Sequence, residues 1–462
     1  MVNSRNNYKK HFKQILLLCA VFFLGILSNK YSVFQHLISL NYARQIEDNQ
    51  ISNSFPGIAP TPHGRWNKFR ESQDIDFDSD RLKQIKGLGY LQGSHPVPHD
   101  RDVIVYDENR AFKGLNFIVS GHEPGAVLTD MSGKILNEWH LGLQPIWKDI
   151  YDWYESIKWD PSYTYWSSAF LFENGDVLAI FDGIGLIKLD KNSNLIWANQ
   201  NGAHHDLFID ESENIGVLTS QENTKTFHDQ QVMYIEDFIS ILSPNGNGIR
   251  NISLFQCLRN SSYASLLKAR FLPEMLPKPG GVHEIHDVLH CNTLELLDGK
   301  FAHICPAFKK GNVLISSRHT HTIAVVDLEQ EKVVWALTGL WNHQHHPTFL
   351  DNGNMLVFDN NNWAGFSKVI EINPLTQEIS WVYEGDTKHP FYTDSCGSAD
   401  RLPNGNTLIV ESDAGRVFEV TPDKTIVWEY INPHRTGKNN ELIASLFKVV
   451  RLKPNFPLKW LE

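Results

Sequence analysis

An all-β fold is predicted by three features of the 462-residue sequence: a six-bladed β-propeller preceded by an N-terminal transmembrane or signal-anchor helix. A glycine-led strand phrase recurs along the chain. A second phrase, a polar turn followed by a strand ending in tryptophan, recurs beside it. One short apolar run follows a basic N-terminus.

The glycine phrase is a Gly, a small or polar residue, and an alternating apolar strand. It stands at Gly175-Asp176-Val177-Leu178, Gly311-Asn312-Val313-Leu314, Gly353-Asn354-Met355-Leu356 and Gly405-Asn406-Thr407-Leu408. The Asn-Gly pairs at 352–353 and 404–405 suit tight hairpins, because glycine enters the left-handed region at no steric cost. The tryptophan phrase runs from Asp130 to Trp139, Asp190 to Trp197, Asp327 to Trp335, Asn373 to Trp381 and Pro422 to Trp428. Its last three tryptophans are spaced by 46 and 47 residues. A period of that size with several short strands per unit is the mark of propeller blades. Five repeats are clear and a sixth is blurred around residues 101–128, so six blades are expected over residues 101–462. A proline-bearing insertion at about 224–280 interrupts the rhythm and reads as an excursion on one face of the ring.

The N-terminus carries Arg5, Lys9, Lys10 and Lys13 and then the apolar run Ile15 to Leu27. Residues 1–13 read as a cytoplasmic basic segment and 14–28 as an uncleaved signal-anchor, with a cleaved signal peptide as the alternative. Either way the positive flank holds its own end in the cytoplasm and sends the rest outward. A membrane-anchored protein with its propeller on the periplasmic, extracytoplasmic side is expected. Residues 32–100 read as a stem, with a short surface helix permitted over 68–86.

Composition narrows the function. Hydrophobic residues make up 42 % and charged residues 21 %, so the bulk of the chain can bury a core. The net charge is −11 and no basic run follows the first dozen residues, which argues against nucleic acid as a partner. That field also repels anions, so an anion site must be built locally from Arg, His and backbone N–H groups. The five cysteines include no C-x-x-C pair; two disulfides and buried free thiols are both open.

Histidine is the informative residue. Of 21, many share one phase of the repeat, in four clusters: His204-His205-Asp206; His283, His286, Asp287 and His290; Arg318-His319-Thr320-His321; and His343-Gln344-His345-His346. Each cluster borders an expected strand, and strand ends on one face of a propeller converge on its channel. One shared site is therefore expected. Zinc held by His283, His286, His290 and a carboxylate is one chemistry, although H-E-x-x-H spacing is absent. Nucleophilic attack by neutral imidazole on an anionic group is the other, with Arg318 as a fork for two oxygens. No Gly-x-Ser-x-Gly elbow and no G-x-x-x-x-G-K-[S/T] phosphate loop is present. Trp363 and Phe366 could stack on an aromatic ligand, though core packing is the plainer role.

At these clusters the sequence resembles the bacterial aryl-sulfate sulfotransferase (arylsulfotransferase, ASST-like) family. Asp287-Val-Leu-His290-Cys-Asn292-Thr293 is similar to its D-x-x-H-x-N-S segment, and Ser316-Ser317-Arg318-His319 to the S-S-R-H strand end that follows. Gln344-His345, Asp351-Asn-Gly-Asn354 and Phe358-Asp359-Asn360 resemble its Q-H…N-G-N…F-D-N stretch. Ser398 to Ile409, Gly415 to Val420 and Trp428-Glu-Tyr430 resemble its final blades. The resemblance implies transfer of a sulfuryl group from a phenolic sulfate ester to a phenolic acceptor through a sulfohistidine. It implies no nucleotide donor, cofactor or metal. By motif position His345 is the nucleophile, His290 and Arg318 bind sulfuryl oxygens, and His205, chosen because it precedes Asp206, completes the catalytic set. His204, His319 and Asn292 are expected to bind substrate. Two features depart from the pattern: periplasmic members carry an extra N-terminal β-sandwich domain, and His346 stands where a polar residue usually follows the Q-H pair. A non-catalytic, membrane-tethered scaffold remains the alternative, and a quinone- or metal-dependent propeller enzyme a further one.

Overall fold

The structure, a computed structural model, describes residues 65–68, 102–156, 165–227, 230–267, 285–361, 364–384, 390–436, 440 and 442–461. The expected helix at 14–28, the expected stem apart from 65–68, His283, the side chain of His286, and Trp363 lie outside the described residues. Among the described residues no helix is long and apolar enough to cross a membrane.

The described residues fall into two compact units. The smaller comprises 221–227, 230–235 and 285–287. There the strand Ile285–Asp287 runs parallel to residues 233–235, with Tyr234 opposite His286. The larger unit is the propeller. Blade 2 is Trp166–Leu171, Val177–Phe181, Gly185–Leu189 and Leu195–Asn199. Blade 3 draws on Ala203–Ile209, Ile215–Phe227, Gln230–Leu242 and Gly248–Ser253. Blade 4 is Cys291–Leu296, Val313–Ser317, Thr322–Asp327 and Lys332–Thr338. Blade 5 is His345–Phe349, Met355–Asp359, Lys368–Ile372 and Ile379–Tyr383. Blade 6 is Ser398–Arg401, Thr407–Glu411, Arg416–Val420 and Ile426–Ile431, with Asp102–Tyr106 as a fifth, outer strand. Blade 1 joins both ends of the fold: Leu115–Ser120, Gly125–Thr129 and Ile135–His140 are completed by the inner strand Leu446–Leu452. Six blades are present, as the repeats predict. Residues 101–128 divide between blade 6, which takes 102–106, and blade 1, whose inner strand lies at the far end of the chain; the blade that neither phrase marks is blade 3, whose strands Gln230–Leu242 and Gly248–Ser253 lie in the stretch 224–280 expected to be an excursion.

The two phrases acquire physical meaning. Gly353 and Gly405 turn between the first and second strands of their blades at φ 86° and 89°, where a side chain would be strained. The polar turn is an Asx turn: Asp130 Oδ1 accepts the N–H groups of Ser132 and Lys134, and Asp190 repeats this with Asn192 and Asn194. In four blades the tryptophan of the fourth strand in the meander staples one blade to the next. The indole N–H groups of Trp139, Trp197, Trp381 and Trp428 donate to Gly175, Pro244, Pro422 and Met131 carbonyls on the following blade, at 2.9–3.2 Å. The rings of Trp139 and Trp428 are fully buried and those of Trp197 and Trp381 half-buried, and each N–H is satisfied by a turn, so one side chain serves both needs.

Closure between blades 6 and 1 adds a buried ion pair. Arg451 Nη1 lies 2.9 Å from Glu419 Oε2 with both side chains fully enclosed, and Arg451 Nε donates to Asn116 Oδ1. Glu419 also accepts the Phe112 N–H and the Asn406 amide. Removing one partner leaves an uncompensated buried charge. Glu419→Ala is expected to lower the unfolding free energy by about 3–5 kcal/mol, read by denaturant titration. Glu211→Ala, which breaks the exposed pair with Lys310, should leave the midpoint nearly unchanged.

Candidate active site

The inner strands of blades 3, 4 and 5 enter the ring through irregular backbone. Each shows a register shift at its first residues, between Ala203 and Leu207, Cys291 and Thr293, and His345 and Thr348. Five histidines in or beside these entries sit at positive φ: His205 (55°), His290 (48°), His321 (51°), His343 (56°) and His346 (48°). A bulge re-aims side chains, and non-glycine residues held left-handed cluster at functional sites. The chain spends backbone strain here to point imidazoles at one place.

The rings form a continuous row. His204 and His205 centroids are 5.0 Å apart, His205 and His290 5.0 Å, and His290 and His319 4.7 Å. His319 and His343 follow at 6.4 Å, and His343 and His321 at 5.1 Å. Arg318, 3 % exposed, is fixed by its backbone N–H on the His290 carbonyl and by Nη1 against His319 Nε2 at 3.1 Å. Three of the four expected clusters and His290 of the remaining one therefore share one locality.

His345 is 6 % exposed, and its Nδ1 lies 2.6 Å from Asn360 Oδ1. The Asn360 amide cannot be turned round. Its Nδ2 donates to the carbonyls of Thr393 at 3.0 Å and Cys396 at 2.9 Å, so both N–H bonds are committed and the oxygen must face the imidazole. The proton of neutral His345 is thus on Nδ1, and Nε2 carries the lone pair. Burial first, then the Arg318 cation and His205, push the His345 pKa down to about 3; the Asn360 hydrogen bond opposes them and loses.

The preceding residue is a strut. Gln344 Nε2 donates to Ser316 Oγ and to the Ser317 and Thr322 carbonyls, tying the entry of blade 5 to blade 4. Asn292, expected to touch substrate, donates Nδ2 to the Gln344 carbonyl at 3.0 Å and accepts from Thr293, so its amide supports the backbone before His345. His319 supports the guanidinium of Arg318. His204 stands beside His205, the two Nδ1 atoms 2.8 Å apart. Asp206 does not orient His205: its carboxylate accepts the Leu294 N–H and pairs with Lys448 at 3.3 Å. His205 earns its place by contact with His290 and by its effect on His345. Gln344 and Asn360 stand in the quoted motifs, but the residues alone suggest no role for them. Cys257 and Cys305 are free thiols, and burial raises the pKa of Cys257 to about 12.

With this geometry in hand, the sequence model described as arylsulfotransferase (ASST) matches residues 168–433, more than half of the chain. The chain belongs to the arylsulfotransferase family. A comparison with curated protein sequences finds no match. Among solved structures, similarity extends to a Bacteroides caccae protein of unknown function at 10 % identity and TM-score 0.43, covering 73 % of this chain and 98 % of that one. It extends to a streptogramin B lyase at 14 % identity and TM-score 0.39, covering 77 % and 95 %. The WD40 propeller domain of Doa1 follows at 12 % identity and TM-score 0.34, covering 72 % and 93 %.

The depressed histidines make stability depend on pH. Burial and the stacked ring of His122 also push the His434 pKa down, to about 4. Above the ordinary histidine pKa of about 6.5 both rings are neutral, folded or unfolded. Below it the unfolded chain takes up protons that the folded chain refuses, so stability falls as pH drops toward 4 for His434 and toward 3 for His345. Unfolding midpoints measured between pH 7 and 4 should decline. His434→Phe, which keeps a ring on His122 but removes the titrating nitrogen, should flatten the decline.

Proposed function

We propose that this chain moves a sulfuryl group from a phenolic sulfate ester to a phenolic acceptor, through a sulfohistidine on His345 and without a nucleotide donor. The observation that carries the reading is the His345–Asn360 pair: a buried imidazole held unprotonated with its lone pair on Nε2. Such a ring is a nucleophile at any physiological pH.

The charges suit a sulfate monoester. Arg318 offers a planar fork for two sulfuryl oxygens, and His290 a further donor. As Nε2 bonds to sulfur, the S–O bond to the phenol breaks and His205 hands its proton to the leaving oxygen. The imidazole gains positive charge during this step. Its Nδ1–H then donates more strongly to Asn360, so that hydrogen bond favours the transition state over the ground state. In the second half the acceptor oxygen attacks sulfur, gives its proton to His205, and the N–S electron pair returns to His345. The positive charge needed comes from Arg318 and histidine, so turnover is expected to survive chelators. A scaffold would keep a buried guanidinium and a proton-refusing histidine at a cost in stability and with no return.

The purified full-length chain should release phenolate from a chromogenic aryl sulfate when phenol is the acceptor. His345→Ala should abolish release; activity that survives would remove His345 as nucleophile. Asn360→Ala frees the ring to take the other tautomer and should cost about 10–100-fold in kcat, while Phe366→Leu should not reproduce that loss. The apolar run Ile15 to Leu27 is proposed to tether the enzyme with its propeller outside the cytoplasm. The chain should sediment with membranes and require detergent for extraction; recovery in an alkaline wash would oppose this.

A further inference from the structure

The polar contacts around His205 extend in one direction that the transfer chemistry above does not use. His204 and His205 share one hydrogen bond, Nδ1 to Nδ1 at 2.8 Å, so one ring must donate and the other accept. The far nitrogen of His204, Nε2, lies 3.6 Å from Oδ1 of Asp237, a carboxylate 3 % exposed on the strand Gln230–Leu242. That carboxylate holds its place by accepting the Cys291 N–H through Oδ2 at 2.8 Å. Asp182, from the hairpin turn of blade 2, accepts the His205 backbone N–H and keeps Oδ1 3.9 Å from His205 Nδ1.

The buried negative charge decides between the two proton arrangements. If His204 donated through Nδ1, its bare Nε2 lone pair would face the Asp237 carboxylate, a repulsive contact in a poorly screened setting. The reverse puts the His204 proton on Nε2, toward Asp237. His204 Nδ1 then accepts from His205 Nδ1–H, and the exchangeable proton of His205 is the one on Nε2.

We propose that Asp237 and His204 form a relay that positions His205 and holds its Nε2 ready to give and take the proton of sulfuryl transfer. This deepens the sulfotransferase reading and rests on it. His204 and Asp237 are positioning residues: they act through His205. In the first half-reaction His205 gives its Nε2 proton to the bridging oxygen as the S–O bond breaks and the N–S bond to His345 forms. In the second it recovers a proton from the acceptor hydroxyl as that oxygen bonds to sulfur. While His205 is a cation, Asp237 through His204, and Asp182 directly, offset its charge. On its other side stand His290, at 5.0 Å, and the His345 ring on which both His205 and Arg318 act. Cations there favour giving the proton up, and the carboxylates behind favour holding it.

The relay predicts sensitivity to the leaving group. A phenol that departs easily as its anion needs little protonation, whereas a poor leaving group depends on it. Asp237→Asn keeps an oxygen for the Cys291 N–H but removes the charge; His204→Gln removes the shared imidazole contact. Turnover by each variant is compared with wild type on 4-nitrophenyl sulfate and on unsubstituted phenyl sulfate. Both variants should lose at least about tenfold more on phenyl sulfate than on the nitrophenyl ester. The alkaline limb of the Asp237→Asn pH profile, where His205 loses the proton it must give, should move to lower pH. Equal losses on the two donors, with an unmoved profile, would reduce both residues to structural roles. A second readout needs no turnover: 15N resonances of labelled histidine report which ring nitrogen of His205 carries the proton. Neutral His205 protonated on Nδ1 supports the relay, and protonation on Nε2 overturns it. A wild type that transfers from no donor would sink the sulfotransferase reading, and the tautomer would still decide the relay.

Discussion

The inner strand of every propeller blade has one edge paired in its own sheet and one edge bare, and buried N–H groups on the bare edge must find acceptors. In this ring they find them on side chains of the neighbouring blade. Asp206 takes the Leu294 N–H, Thr293 that of His346, and Glu295 that of Phe349. Asp237 takes the Cys291 N–H, in the same role. Each contact fixes how far one inner strand advances relative to the next. Because His205, His290 and His345 ride on the entries of those strands, this polar stitching also sets the spacing of their rings. Burial raises the pKa of one stitching group, Glu295, which holds the Phe349 N–H, to about 8.

From that constraint the chemistry follows in steps. Stitching and bulges bring the imidazoles together; Gln344 braces the strand entry that carries His345; Asn360 chooses its tautomer. Burial and Arg318 then keep it unprotonated. None of these effects is large alone, but all act on the same two atoms of His345. A net-negative protein can in this way offer an anion a local site, because Arg318 and the row of imidazoles gather in one place.

Much of the ring is legible in the sequence because its determinants are local. An Asn-Gly turn, an Asx turn and a tryptophan at a fixed offset each act within a few residues, and their recurrence exposes the blades. Blade 1 is harder to see, since Leu446–Leu452 and Leu115–Ser120 meet only when the ring closes. The clusters around His205, Arg318 and His345 are legible as clusters, and their meeting follows from the fold class. Their division of labour is not. Asp206 adjoins His205 in sequence yet serves a strand edge, because alternation along a strand sends neighbours to opposite sides. Asp237, far along the chain, is the carboxylate beside His204. Asn360 and Gln344 are polar amides whose value lies in which atom faces which partner, a matter of register and bulge that residue types do not encode.

The central claim is that one nitrogen of one histidine carries the sulfuryl group. The direct measurement traps the full-length protein with an aryl sulfate in the absence of acceptor and locates the adduct by fragmentation mass spectrometry and 15N resonance. One sulfuryl group on Nε2 of His345, with Nδ1 still protonated, is the result predicted. An adduct on another residue, or on Nδ1 of His345, would contradict the geometry on which the mechanism rests.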